Sequence, residues 1–232
     1  EKIGKSDEQI KTLAKSNPSE LDVEELLYSA TLFDNDADKL AIYETAIKQF
    51  PNDWRGFNDA GMILFEMGKV AQAKANFDKA NTLSANNKVV KNNLGAVELK
   101  NGNVKEAEVL FGAATGAGDE VNYNKGIVAI MKGDYKAAVD YFGKCNCDNA
   151  ALANLLAGNN NEAMKKLNDN KEGSAMTSYL KAVIAARNND TNGVLSNLKV
   201  ACDKDSAMKQ LAATDIEFAK LFDNADFKSI VK

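Results

Sequence analysis

Residues 66–77, 100–111 and 131–142 read EMGKVAQAKANF, KNGNVKEAEVLF and MKGDYKAAVDYF. Each has a glycine among polar residues, an alanine five residues later and a phenylalanine nine residues later. Gly68 to Gly102, Ala73 to Ala107 and Phe77 to Phe111 are all 34 residues apart, so three anchors move together. Apolar residues on either side recur at helical spacing, with small residues where two helices must approach closely. The unit is a helix, a turn and a second helix, and its recurrence predicts an array.

The third interval, Gly102 to Gly133, is 31 residues. A deletion of three is close to one helical turn, so the buried stripe keeps its direction while one helix shortens. The segment GAATGAGD, with Gly112, Gly116 and Gly118, marks the end of that shorter helix. Gly133 to Gly158 is 25 residues, a further contraction. Only two prolines occur, Pro18 and Pro51, both at predicted helix boundaries.

These units resemble the tetratricopeptide repeat family, whose pattern alternates small and large residues at fixed positions in the two helices. Residues 54–87 are the best copy, with Gly61, Ala73 and Ala80 as the small set and Leu64 and Phe77 as large residues. The next copy supplies Leu94, Gly95, Ala107, Phe111 and Ala114, and the one after it Gly126, Ala138 and Phe142. Residues 20–53 form a divergent copy with Lys39 at a small position, and 175–208 a last one whose turn, RNNDTNG, lacks the glycine-polar signal. The resemblance implies an all-α, right-handed α-solenoid of about five helix-turn-helix repeats with a C-terminal capping segment. The expected boundaries are a flanking segment at 1–19, an array over 20–209 (20–53, 54–87, 88–118, 119–148, a contracted 149–174, and 175–208), and capping helices at 210–232. Ser6 and Gln9 stand at capping-box spacing before a short amphipathic helix over 6–16, and Thr214 with Glu217 gives a similar signal near the C-terminus.

Composition removes several function classes. The chain of 232 residues has no histidine, so neither Ser-His-Asp and Cys-His catalysis nor the histidine-containing zinc sites of most hydrolases can be built. A formal charge of -4 supplies no basic field for nucleic acid. No apolar run approaches the roughly 20 residues that cross a bilayer. DNDADK at 34–39 begins like a calcium loop but has Lys39 and Thr45 where that loop needs glycine and glutamate, so it reads as an inter-helix turn. TGAGDE follows no strand and reads as a helix terminus. Cys145 and Cys147 offer too few ligands for zinc and stand too close in sequence for an unstrained disulfide, and Cys202 reads as a small buried hydrophobe. No enzyme and no cofactor are expected.

In the family, the first helix of each repeat lines the inner groove. Carried over, that face holds Asn58, Asn92 and Tyr123 in one row, Asp59, Asn93 and Asn124 in the next, and an apolar strip of Met62, Ala96, Ile127 and Leu152 with Phe65, Leu99, Ile130 and Leu155. Asparagine amides both donate and accept, so they suit gripping an extended peptide backbone, although asparagine is common there whatever is bound. An apolar strip is costly to leave in water. Either a partner segment or the chain's own residues 214–232 cover it. With Arg55, Val89 and Glu120 as the third row, the face lacks the cations of repeats that clamp acidic chaperone tails. The expected function is a non-catalytic scaffold for a protein or peptide segment. The alternative is a spacer or anchor within a larger cell-envelope protein. The run VNYNKGIVAIMKGDYKAAVDYF resembles tetratricopeptide regions of larger Gram-negative envelope proteins, which implies a periplasmic or outer-membrane-associated place; the alternative is cytoplasmic, since an array there would have the same composition.

Overall fold

The computed structural model describes residues 4–232; the first three residues of the expected flanking segment lie outside it. Fifteen α-helices, two short 3-10 helices (Pro18–Glu20 and Ile216–Leu221) and no strand occur among the described residues. In chain order they are α1 (Asp7–Ser16), α2 (Val23–Ala30), α3 (Asp36–Gln49), α4 (Trp54–Glu66), α5 (Val70–Leu83), α6 (Lys88–Lys100), α7 (Val104–Ala113), α8 (Asp119–Met131), α9 (Tyr135–Phe142), α10 (Asp148–Leu156), α11 (Asn160–Asp169), α12 (Ala175–Arg187), α13 (Thr191–Lys204), α14 (Ala207–Thr214) and α15 (Ala225–Val231). They divide into two compact units, one ending at Asn124 and the other running from Lys125 to Lys232, with the division inside α8.

In the first unit α2 through α7 pack as consecutive neighbours. Ser6 and Gln9 close a capping box on α1, and Asp22 and Glu25 close another on α2. In DNDADK, Asn35 caps α3 and Asp38 binds Lys15 at 2.8 Å. Two apolar clusters form the core, one around Leu26, Ile42 and Ala46, the other around Leu64, Phe77, Val90 and Val97. In the second unit one cluster runs from Ala151 to Phe227 through α10–α13. The shortening read from the spacing falls on α7, 10 residues against 14 for α5, and Gly116 and Gly118 in the following turn take left-handed backbone. Gly112 does not; it stays inside α7.

A small residue facing a large one sixteen positions later sets the helix spacing. A Cβ on Gly95 would sit 2.6 Å from Cδ1 of Phe111, a ring that is fully buried. Gly61 with Phe77 and Gly126 with Phe142 repeat this, at 2.6 and 2.7 Å from the ring. In the last two hairpins the pairs are Ala151 with Leu167 and Ala182 with Leu198, all at most 1% exposed. A larger residue on one helix is matched by a smaller one on its neighbour, and the buried volume is nearly preserved.

The turn within each hairpin is also shared. Gly102 follows α6 at φ +82, and the Asn103 amide closes the turn on the Glu98 carbonyl at 2.8 Å. After α12, where glycine is absent, Asn189 takes φ +56 and the Asp190 amide bonds Ala185 at 2.9 Å. Asparagine tolerates the left-handed region better than other side chains, so RNNDTNG makes the same turn.

Two expectations are corrected. Cys145 and Cys147 are joined by a disulfide. Left-handed Gly143 ends α9, and beyond it the backbone at Asn146, the one residue between the cysteines, sets their Cα separation at 5.4 Å, inside the ordinary disulfide range. Thr214 is not a cap but the last residue of α14. Asp215 takes that role, accepting from the Glu217 amide at 3.0 Å while also accepting the Tyr179 hydroxyl at 2.6 Å. This bond and the Arg187–Glu217 ion pair hold residues 215–221 on α12, burying Phe218. The tail, with α15 on α13, covers the last hairpin.

Candidate functional site

The face expected to bind is built in the first unit from α4, α6 and the start of α8. Helical period places Asn58, Met62 and Phe65 on one side of α4, and Asn92, Asn93, Ala96 and Leu99 on the matching side of α6. The amides bond to one another across neighbouring repeats. Asn93 Nδ2 donates to Asn58 Oδ1 at 2.8 Å, and Asn124 Nδ2 donates to Asn92 Oδ1 at 3.0 Å. Asn58 Nδ2 lies 3.4 Å from Asp59 Oδ1 and 3.8 Å from Met62 Sδ. Asn58 is 3% exposed and faces the protein rather than a ligand. Among the described residues, Asn92 Nδ2 and the Oδ1 atoms of Asn93 and Asn124 have no protein partner, and all three residues are half-buried. The stagger, in which one repeat's amide reaches the preceding row of its neighbour, ties α4 to α6 and α6 to α8.

Beside the amides runs the apolar strip. Met62 is 42% exposed, and Phe65, Ala96 and Leu99 are half-buried. Phe65 also packs on the core cluster of Leu64 and Phe77. Tyr123 is half-buried on α8. Ile127 and Ile130, in the second unit, are likewise half-buried.

The charges around α4 were not legible in spacing. Arg55 holds Asp53, the N-cap of its own helix, at 2.8 Å and reaches Glu24 on α2 at 2.5 Å. Its hydrogen bonds push the Asp53 carboxyl below the ordinary range and raise the Arg55 guanidinium. Asp59 behaves oppositely: burial raises its carboxyl, against the weaker pull of the Asn58 hydrogen bond and the Arg55 charge. The nearby Tyr43 phenol is pushed up to about 12, first by burial and then by the charges of Asp59 and Glu66. No group of three or more histidine, cysteine or acidic residues that could hold a metal ion occurs among the described residues. No helix among them is long and apolar enough to cross a membrane.

Residues 55–87 match the tetratricopeptide repeat family model. No curated protein sequence matches the chain. Among solved structures, the APC/C hetero-tetramer Cut9–Hcn1 aligns over 95% of this chain with a TM-score of 0.76 and 12% identity. This chain spans only 46% of the length of that one. PilW, described as a widely conserved type IV pilus biogenesis factor, aligns over 94% of this chain and 99% of its own, with a TM-score of 0.62 and 15% identity. YrrB, described as a tetratricopeptide protein with an unusual peptide-binding site, covers 71% of this chain and 92% of its own at a TM-score of 0.52 and 21% identity. The helix hairpins, the shared small-large pairs and the match at 55–87 together give this chain the all-α fold of tetratricopeptide-repeat proteins, with a tetratricopeptide repeat at residues 55–87.

Proposed function

We propose that the chain is a non-catalytic scaffold that holds an apolar protein or peptide segment on the α4–α6 face. The observation that carries this reading is Met62, 42% exposed and in line with half-buried Phe65, Ala96 and Leu99. Beside that strip, the outward edges of Asn92 and Asn93 supply one donor and one acceptor to a partner's main chain, and Asn124 adds another acceptor. The self-paired amides fix the spacing of these edges, so the surface is organised before anything binds. YrrB, of similar fold, is described as having a peptide-binding site. A photo-crosslinking residue at position 62 or 96 is expected to capture a discrete partner in cells. The same residue at Ala75 or Val109, exposed on α5 and α7, is expected to capture none. Equal capture from both faces would reject the assignment.

The disulfide favours a second reading alongside this one. Disulfides persist in oxidising compartments, which supports a periplasmic or outer-membrane-associated place, with the array spacing or anchoring part of a larger envelope protein. PilW, of similar fold, is named for pilus biogenesis. Acid quenching of whole cells followed by thiol labelling tests the placement. A protein with only one free thiol supports it, and three free thiols exclude it.

A further inference from the structure

We infer that the Cys145–Cys147 segment is a reversible thiol–disulfide exchange site whose substrates are dithiols, with Cys147 as the sulfur released and re-used. Four observations in the second unit carry this. Both cysteines are half-buried rather than sealed in the apolar core. Cys147 occupies the N-cap of α10, a nine-residue helix that no side chain caps. A thiolate there meets the positive end of the helix dipole, a setting that stabilises the anion.

Thirdly, Lys166 on α11 is only 7% exposed, and its ammonium donates to the Gly143 carbonyl at 3.0 Å and the Cys145 carbonyl at 3.1 Å. A lysine buried this far is costly. It places a positive charge under the loop and grips the backbone on the Cys145 side. Fourthly, the other side is gripped as firmly. Asp148 accepts from Asn170 at 3.2 Å, Ser174 at 3.0 Å and Thr177 at 2.7 Å. The loop is therefore anchored at both ends by groups independent of the sulfur–sulfur bond. Opening that bond leaves the two thiols beside each other, which makes closure favourable again.

The exchange balances within the two partners. A thiolate of the incoming dithiol attacks Cys145 Sγ, the Cys145–Cys147 bond breaks, and its electron pair leaves on Cys147 Sγ at the head of α10. The dithiol's second sulfur, once deprotonated, attacks its own sulfur in the mixed disulfide and releases Cys145. The dithiol is oxidised by two electrons, and its two protons end on Cys145 and Cys147.

The test uses the full chain carrying Cys202→Ala, so that only the pair reports. After reduction with dithiothreitol, a maleimide pulse near pH 6.5 and peptide mass spectrometry give the labelling rate of each cysteine. Cys147 is expected to label about tenfold faster than Cys145, and faster than in the urea-unfolded chain. The thermal midpoint is expected to differ by less than about 2 °C between the oxidised and reduced forms, and oxidised glutathione is expected to restore the bond. Lys166→Met is expected to slow that closure by on the order of tenfold. Because this variant can fail by misfolding, the decision rests on the unsubstituted Lys166 protein. Equal labelling of Cys145 and Cys147, or a larger fall in midpoint on reduction, makes the disulfide a structural staple and overturns the proposal.

Discussion

Gly95 and Phe111 provide the sharpest test of how the hairpins are spaced. In an ordinary helix interior, Gly→Ala stabilises by about 1 kcal/mol through backbone entropy. Here the new Cβ would lie 2.6 Å from Phe111 Cδ1, and the ring, fully buried, has no free space to enter. Overpacking a core costs about 1–3 kcal/mol, and an approach this close lies in the upper part of that range, so Gly95→Ala is expected to destabilise by about 1–2 kcal/mol net. Phe111→Leu leaves a gap against Gly95 and is expected to cost about 1–2 kcal/mol. If the sites were independent the double variant would lose about 2–4 kcal/mol. The two changes instead recreate the Ala-with-Leu solution of Ala151 with Leu167 and Ala182 with Leu198, where each partner is buried. The double variant is therefore expected within about 1 kcal/mol of wild type, a coupling of about 2 kcal/mol. Urea unfolding followed by Trp54 fluorescence measures this. Trp54 is the sole tryptophan and packs on the cluster containing Leu94 and Val97, so it reports the unit that holds the mutated pair. Additivity within about 0.5 kcal/mol would refute the volume-exchange argument.

Three further outcomes follow from other parts of the chain. Asn189→Gly is expected to raise stability by a few tenths of a kcal/mol and Gly102→Ala to lower it by about 1 kcal/mol, since both positions are left-handed; thermal denaturation of the two variants checks the opposite signs. Asn93→Ala strips the donor from the buried Asn58 carbonyl and is expected to cost about 1–3 kcal/mol. Asn124→Ala deprives only half-buried Asn92 and is expected to cost less, and urea midpoints of the pair show whether burial sets the order. Asp59→Asn is expected to stabilise at pH 7, because burial holds the native carboxyl above its unfolded value and the charged form is the disfavoured one. The native acid's contribution is complete below the unfolded carboxyl pKa and is lost as pH rises through the raised value. The advantage of the Asp59→Asn variant should therefore shrink as pH falls towards that unfolded value, and a stability profile across the acid range shows it or does not.

The hairpins were legible because close packing of two helices leaves marks at fixed separations. The five-residue step from Gly102 to Ala107 and the nine-residue step to Phe111 come from one backbone turn and one interhelical contact, and both survive deletion of a helical turn elsewhere. The compensation between glycine with phenylalanine and alanine with leucine was not seen. It is a relation between two residues sixteen apart, visible only once both ends of the contact are placed. The Asn189 turn was obscured because the pattern treats glycine as the signal, whereas the physical requirement is a left-handed residue that leaves the Asp190 amide free to reach Ala185.

The candidate face shows the same division more sharply. Helical period places Asn58, Asn92, Asn93 and Asn124 on one side of their helices, but it does not say whether an amide faces a neighbour or a ligand. That depends on the offset between adjacent hairpins, and at the offset found here each later amide reaches the row before it. A polar row that looks like recognition in sequence is thus partly internal, with one amide edge holding the repeats in register. The Cys145–Cys147 bond was missed for a related reason. Separation in sequence limits how far apart two residues can be, whereas the backbone at Asn146 sets how far apart they are, in a loop that Lys166 holds by the Gly143 and Cys145 carbonyls. In both places a contact from outside the motif fixes the chemistry of the residues within it: Asn124 for Asn92, and Lys166 for the cysteine loop.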